Sequence, residues 1–106
     1  MHYVFDIDGT ICTTEGGNYN NSTPIPERVK KINELFDNGH VVNFHTARGM
    51  GTFKNDGDKA YEKYYQLTYK QLTDWGVKFN SLFMGKPAGD LYVDDKAATD
   101  EEFFRD

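Results

Sequence analysis

Apolar residues in this chain come in short runs separated by polar, glycine-rich breaks, and the period of each run predicts its element. His2 to Phe5 is aromatic and β-branched at successive positions, which predicts a strand buried on both faces, with Asp6 at its carboxyl end. Thr13 to Thr23 holds almost no apolar residue and reads as a loop or loose hairpin, placed to act as a flap beside that strand end. Pro24 and Pro26 then open a helix with Val29, Ile32 and Phe36 along one face, and Asn38-Gly39 stops it.

His40 to His45, with Val41, Val42 and Phe44, predicts a second buried strand that runs into the polar turn Thr46-Ala47-Arg48-Gly49-Met50-Gly51. From Asp58 to about Trp75, Tyr61, Tyr65, Tyr69 and Leu72 recur at helical spacing, and Gly76 ends that helix. Phe79 to Met84 predicts a third strand, Gly85-Lys86-Pro87 a turn, Leu91 to Val93 a fourth strand leading into Asp94-Asp95, and Ala97 to Phe104 a brief terminal helix. Alternating strands and helices imply right-handed crossovers. The expected fold is a single α/β domain, a compact Rossmann-like three-layer sandwich over residues 1–106, with a mostly parallel sheet of about four strands.

Composition narrows the function. Twelve basic against 17 acidic residues, a formal net charge of −5, argue against nucleic acid or an anionic membrane as the main partner but leave room for a small phosphorylated metabolite. One cysteine, Cys12, rules out an intrachain disulfide framework and fits a reducing compartment. No run approaches the roughly 20 apolar residues of a membrane span, and the first strand starts too soon after Met1 to leave room for a signal peptide. The expected location is cytoplasmic.

In an open α/β sheet, ligands sit beyond the carboxyl ends of the strands. That rim is expected to carry Asp6 and Asp8 from the first strand, Thr46 and Arg48 from the second, Lys86 after the third, and Asp94 with Asp95 after the fourth. Four carboxylates on one rim repel one another unless a cation sits among them, and all-oxygen ligation suits Mg²⁺. With that charge and Lys86 to neutralise a phosphate dianion, Asp6 becomes a candidate nucleophile. Asp8 becomes a candidate general acid and base. Thr46 and the N–H groups that follow it are donors for non-bridging oxygens.

Asp6-Ile7-Asp8-Gly9-Thr10 after an apolar strand, Thr46 after the next, Lys86 in Gly-Lys-Pro and Asp94-Asp95 after Leu91-Tyr92-Val93 resemble, in order, the four motifs of the haloacid dehalogenase superfamily of phosphatases. The resemblance implies Asp6 as nucleophile, Asp8 as acid/base with its backbone carbonyl on Mg²⁺, and Lys86 as a catalytic and phosphate-binding lysine. It further implies Gly9, Thr10, Thr46, Ala47 and Arg48 as the remaining phosphate or substrate binders. Asp6, Asp8, Asp94 and Asp95 would form the metal site, with Asp95 the direct ligand of the adjacent pair and Asp94 its support. No insertion long enough for a cap domain follows the first motif or the second strand, so the chain resembles the capless group; with 11 residues after Asp95, a fifth core strand is expected to be missing. The Thr46 to Met50 stretch is similar to short phosphatases of capsule and surface-polysaccharide biosynthesis, which implies a sugar phosphate as substrate.

Other residues carry plainer expectations. Arg48 suits a substrate contact or a structural ion pair equally well. His45 precedes Thr46 and points to the opposite face by strand alternation, and no histidine is assigned to catalysis. Cys12 reads as a small packed residue, and the tyrosines from Tyr61 to Tyr69 as core and helix surface, with a homo-oligomer covering an open site as a further use. Competing functions are a phosphomutase, a nucleic-acid-end phosphatase, and a non-catalytic module that binds metal or phosphate on the same fold.

Overall fold

The computed structural model describes residues 1–105. Its sheet has three parallel strands, β1 (His2–Phe5), β4 (Val41–His45) and β5 (Ser81–Phe83), in the order β1-β4-β5. A small antiparallel pair, β2 (Cys12–Thr13) with β3 (Thr23–Pro24), closes the base of the loop after β1, the loose-hairpin alternative of the sequence reading. The helices are α1 (Pro26–Asp37), α2 (Gly57–Asp74) and a short α3 (Asp100–Phe104).

Local signals explain the helix boundaries. Pro26 occupies the first turn of α1, where its missing N–H costs nothing. At the start of α2 the Asp56 carboxylate accepts from the N–H groups of Asp58 and Lys59, at 3.1 and 3.2 Å. In α3, Thr99 and Glu102 form a reciprocal capping pair, which lets five residues hold a helical turn.

Register fixes which face is inside. Tyr3 pairs with Val42, Phe5 with Phe44, and Phe44 with Leu82, so these side chains share one face. There they meet Val29 and Ile32 of α1 and Leu72 of α2. The rings of Phe103 and Phe104 on α3 lie 5.3 and 6.1 Å from that of Phe5. The alternate residues face the other way, and Val4 is 65% and Phe83 52% exposed.

This corrects the expected three layers and four strands. Successive right-handed crossovers that advance across a sheet in one direction lay their helices on the same face. With the order β1-β4-β5 the direction never reverses, so α1 and α2 share a face and the opposite face is left largely open. β1 is therefore buried on one side, not both. Leu91 to Val93 does not form the expected fourth strand: residues 87–99 are exposed and outside any element, Leu91 at 80%. The terminal helix starts at Asp100 rather than Ala97, because Thr99 is the residue whose side chain can cap it.

Candidate functional site

Extending the β1–β4 register by one residue sets Asp6 beside His45, both on the open face of the sheet. The same ladder runs past the strands: the Thr46 N–H donates to the Phe83 carbonyl at 3.0 Å, and the Lys86 N–H to the Thr46 carbonyl at 3.1 Å. Asp6, Thr46 and Lys86 are thus held at adjacent strand ends by main-chain bonds. Lys86 lies with its Nζ 3.9 Å from an Asp6 oxygen and 4.3 Å from the centre of the Tyr92 ring. The Tyr92 hydroxyl in turn donates to the Pro87 carbonyl at 2.6 Å.

Burial pushes the Asp6 carboxyl above its ordinary value, against the opposing pull of Lys86 and the Ile7 N–H. Burial and the Lys86 charge both press His45 down, so its imidazole is neutral at pH 7. His45 does point away from Thr46, as alternation required, but that places it next to Asp6. Aligning Phe5 with Phe44 in the sequence was the signal that could have found it.

Asp8 has different surroundings. Arg48 Nε donates to Asp8 Oδ2 and Nη2 to Oδ1, both at 2.9 Å, and the Thr14 hydroxyl donates to Oδ1 at 2.6 Å. Burial raises the Asp8 carboxyl, but the hydrogen bonds from Arg48 and Thr14 outweigh it and hold it below the usual range. Cys12, buried behind it with Sγ 3.6 Å from Oδ1, has its thiol pushed up to about 11 by burial and by the Asp8 charge, so it stays protonated. That agrees with a packing role.

Arg48 emerges as the ion pair of its two alternatives. Its side chain has no solvent exposure, and its remaining N–H bonds go to Thr68 at 3.2 Å, to Gln71, and to Ser22 at 3.4 Å. Five donors meet five acceptors, leaving none for a substrate in this arrangement. The N–H groups of Gly9 and Thr10 likewise close the turn, onto the Cys12 and Ile7 carbonyls at 2.9 and 3.0 Å. Ala47 is half-buried in the turn after β4, where its carbonyl accepts from Met50 N–H at 2.9 Å and the Thr46 Oγ1 accepts from Arg48 N–H at 3.2 Å. Gly49 lets this turn press against α2: at φ +81° a Cβ there would lie 2.7 Å from the Tyr64 ring.

Asp94 and Asp95 are not brought to Asp6 and Asp8. Both are exposed in the stretch after Tyr92, and Asp94 accepts from the Lys96 N–H at 3.0 Å, which lowers its carboxyl. Among the described residues no three His, Cys, Asp or Glu side chains form a group able to hold a metal ion. Leu91 to Val93, the expected fourth strand, joins no sheet, so the rim gathers Asp6 and Asp8 rather than the four carboxylates expected from the sequence. The two carboxylates gathered here are Asp6, beside Lys86, and Asp8, paired with Arg48.

No protein-family model matches this chain, and no curated protein matches it. Among solved structures it is similar to a crystal structure of a target protein from Vibrio cholerae, with a TM-score of 0.90 at 24% identity over 98% of this chain and 87% of that one. This likeness shows a shared fold. No described helix is long and apolar enough to cross a membrane.

Sequence reasoning missed Thr68 and Gln71 on the inner face of α2. The helix buries Ala60, Thr68, Gln71 and Leu72; of the expected tyrosines, Tyr65 packs against the core while Tyr61 and Tyr69, on either side of its ring, are exposed. Thr68 and Gln71 face inward because a buried guanidinium needs acceptors. Polar residues at helical spacing gave no hydrophobic signal. Thr14, Tyr19 and Ser22 on the loop were missed for the same reason.

Proposed function

We propose that this chain is a phosphatase that hydrolyses a small phosphate monoester, with a sugar phosphate as the substrate class. The observation that carries the proposal is Asp6 at the carboxyl end of β1 with Lys86 3.9 Å away and a second aspartate two residues on. The motif order read from the sequence supports it. An Asp6 oxygen attacks phosphorus, the ester P–O bond breaks, and the leaving oxygen takes a proton from Asp8. Asp8 then accepts a proton from water as that water attacks the aspartyl-phosphate, releasing inorganic phosphate and restoring Asp6. Lys86 offsets charge on the phosphate, and Thr46 and Ala47 at the neighbouring strand end offer neutral donors.

The acid step needs a proton on Asp8, which Arg48 holds ionised. A phosphate dianion seated beside it raises its pKa by like-charge repulsion, the direction the step requires. Mg²⁺ belongs to the proposal on charge grounds: one lysine is a single counter-charge against a carboxylate and a dianion.

Release of inorganic phosphate from a panel of sugar phosphates and an aryl phosphate, with Mg²⁺ and with a chelator, tests this reading. Turnover that needs Mg²⁺ is expected; silence on every ester in Mg²⁺ would overturn it. A second reading, a binding module without turnover, draws on the exposed position of Asp94 and Asp95 and the engagement of Asp8. Binding of a phosphate analogue without hydrolysis of any ester is its signature.

A further inference from the structure

The loop between β2 and β3 has little main-chain structure of its own: a two-residue ladder at its base and a single 3₁₀ turn, Tyr19–Asn21. What holds it is a set of side chains converging on Arg48. The Tyr19 ring lies over the guanidinium with its centre 4.9 Å from Cζ, and Tyr64 of α2 meets the same ring edge-on at 5.1 Å. Gln71 accepts from Arg48 and donates through its amide to the Tyr19 carbonyl. The Thr14 hydroxyl gives its one proton to Asp8, so at 2.6 Å it accepts from Ser22, whose oxygen accepts from Arg48.

We propose that Arg48 is the positioning residue of loop 14–22, and that the loop, held against Asp8, is the wall of the site that selects substrates by the alcohol carrying the phosphate. The selection half rests on the phosphatase reading above. In that reading Asp8 serves the leaving oxygen, so groups that touch Asp8 border the leaving alcohol. On the loop, Thr14 touches Asp8 directly, and Ser22 is hydrogen-bonded to Thr14 behind it. Arg48 itself is shielded from the alcohol, with no solvent exposure and every donor engaged. It acts through the loop.

The experiment compares wild type with Arg48→Lys, which keeps the charge but loses the planar five-donor fan, and with Tyr19→Ala, which removes the ring and leaves the guanidinium's hydrogen-bond partners in place. Hydrogen–deuterium exchange is read at the amides of 14–22 and, as control, at those of β1 and β4. In parallel, kcat and KM are measured for the preferred sugar phosphate and for a bulky aryl phosphate. Losing one or two buried charge-assisted bonds in Arg48→Lys, or the buried cation–π contact in Tyr19→Ala, predicts loop exchange about tenfold faster or more, with strand amides unchanged. The kcat/KM preference between the two esters is expected to shrink by a similar factor, through KM. Unchanged loop exchange in both variants overturns the tether, and Tyr19→Ala decides it alone if Arg48→Lys does not fold. Faster exchange with an unchanged ester preference overturns the selection. If wild type hydrolyses no ester, the phosphatase reading and the selection half fall together, while the exchange data still decide the tether.

Discussion

Arg48 grips Asp8 through two parallel N–H···O bonds of 2.9 Å, from a side chain that solvent does not reach. The pair joins the turn after β4 to the turn after β1. A buried guanidinium is tolerable only when its charge is paired and its donors are satisfied. Thr68 and Gln71 on α2, otherwise odd choices for a buried helix face, supply what Asp8 leaves over.

Replacing Arg48 by Met should therefore cost more than a surface ion pair. Removing one partner of a buried pair costs roughly 3–5 kcal/mol, and the partial exposure of Asp8 sets the expectation near the lower end, about 3. Urea denaturation of Arg48→Met, Asp8→Asn and the double variant gives the coupling. Additive effects would show that the two residues do not stabilise each other.

Gly49→Ala should destabilise the fold although it adds one methyl group. The residue sits at φ +81°, and the new Cβ would meet the Tyr64 ring at 2.7 Å and the Ala60 Cα at 3.2 Å. Strain plus overpacking predicts a loss of about 2–4 kcal/mol. A second variant, Gly49→Ala with Tyr64→Ala, should relieve the clash with the ring and leave the backbone strain and the Ala60 contact, as read by thermal unfolding against Tyr64→Ala alone.

Asp6→Asn separates activity from stability. Burial raises the Asp6 carboxyl, so its ionised form is disfavoured by the fold, and a neutral amide removes that penalty at pH 7. Phosphate release should vanish while the melting temperature stays level or rises. Persistent turnover would remove Asp6 from the role of nucleophile.

Acid should loosen α3 before the sheet. Arg28 donates to Asp100 at 2.6 Å, and this bond lowers the Asp100 carboxyl. A folded-state value below the unfolded one gives a stabilising contribution that is present above the ordinary carboxylate range and lost as pH falls through the depressed folded value. Asp100→Asn should remove that contribution at neutral pH as well. Ring resonances of Phe103 and Phe104, followed from pH 7 down to the acid range in both proteins, check it: the wild type should approach the variant at low pH.

Period and punctuation in the chain were enough to place β1, α1, β4, α2 and β5, because each is specified by local patterns: an apolar run, proline at a helix start, Asn38-Gly39 and Gly76 at helix ends. They also placed Asp6, Thr46 and Lys86 at neighbouring strand ends, since parallel strands turn adjacent carboxyl ends into one rim. Only the tertiary structure decided the layers and partners. An apolar run such as Leu91 to Val93 reads as a strand whether or not a neighbour pairs with it, and one-sided coverage follows from strand order, which no local pattern encodes. The network around the Asp8–Arg48 pair was hidden in the same way: Arg48, Thr68, Gln71, Thr14 and Ser22 are polar residues scattered over 58 positions, from 14 to 71. Folding brings them together because a buried cation must find every acceptor it can reach.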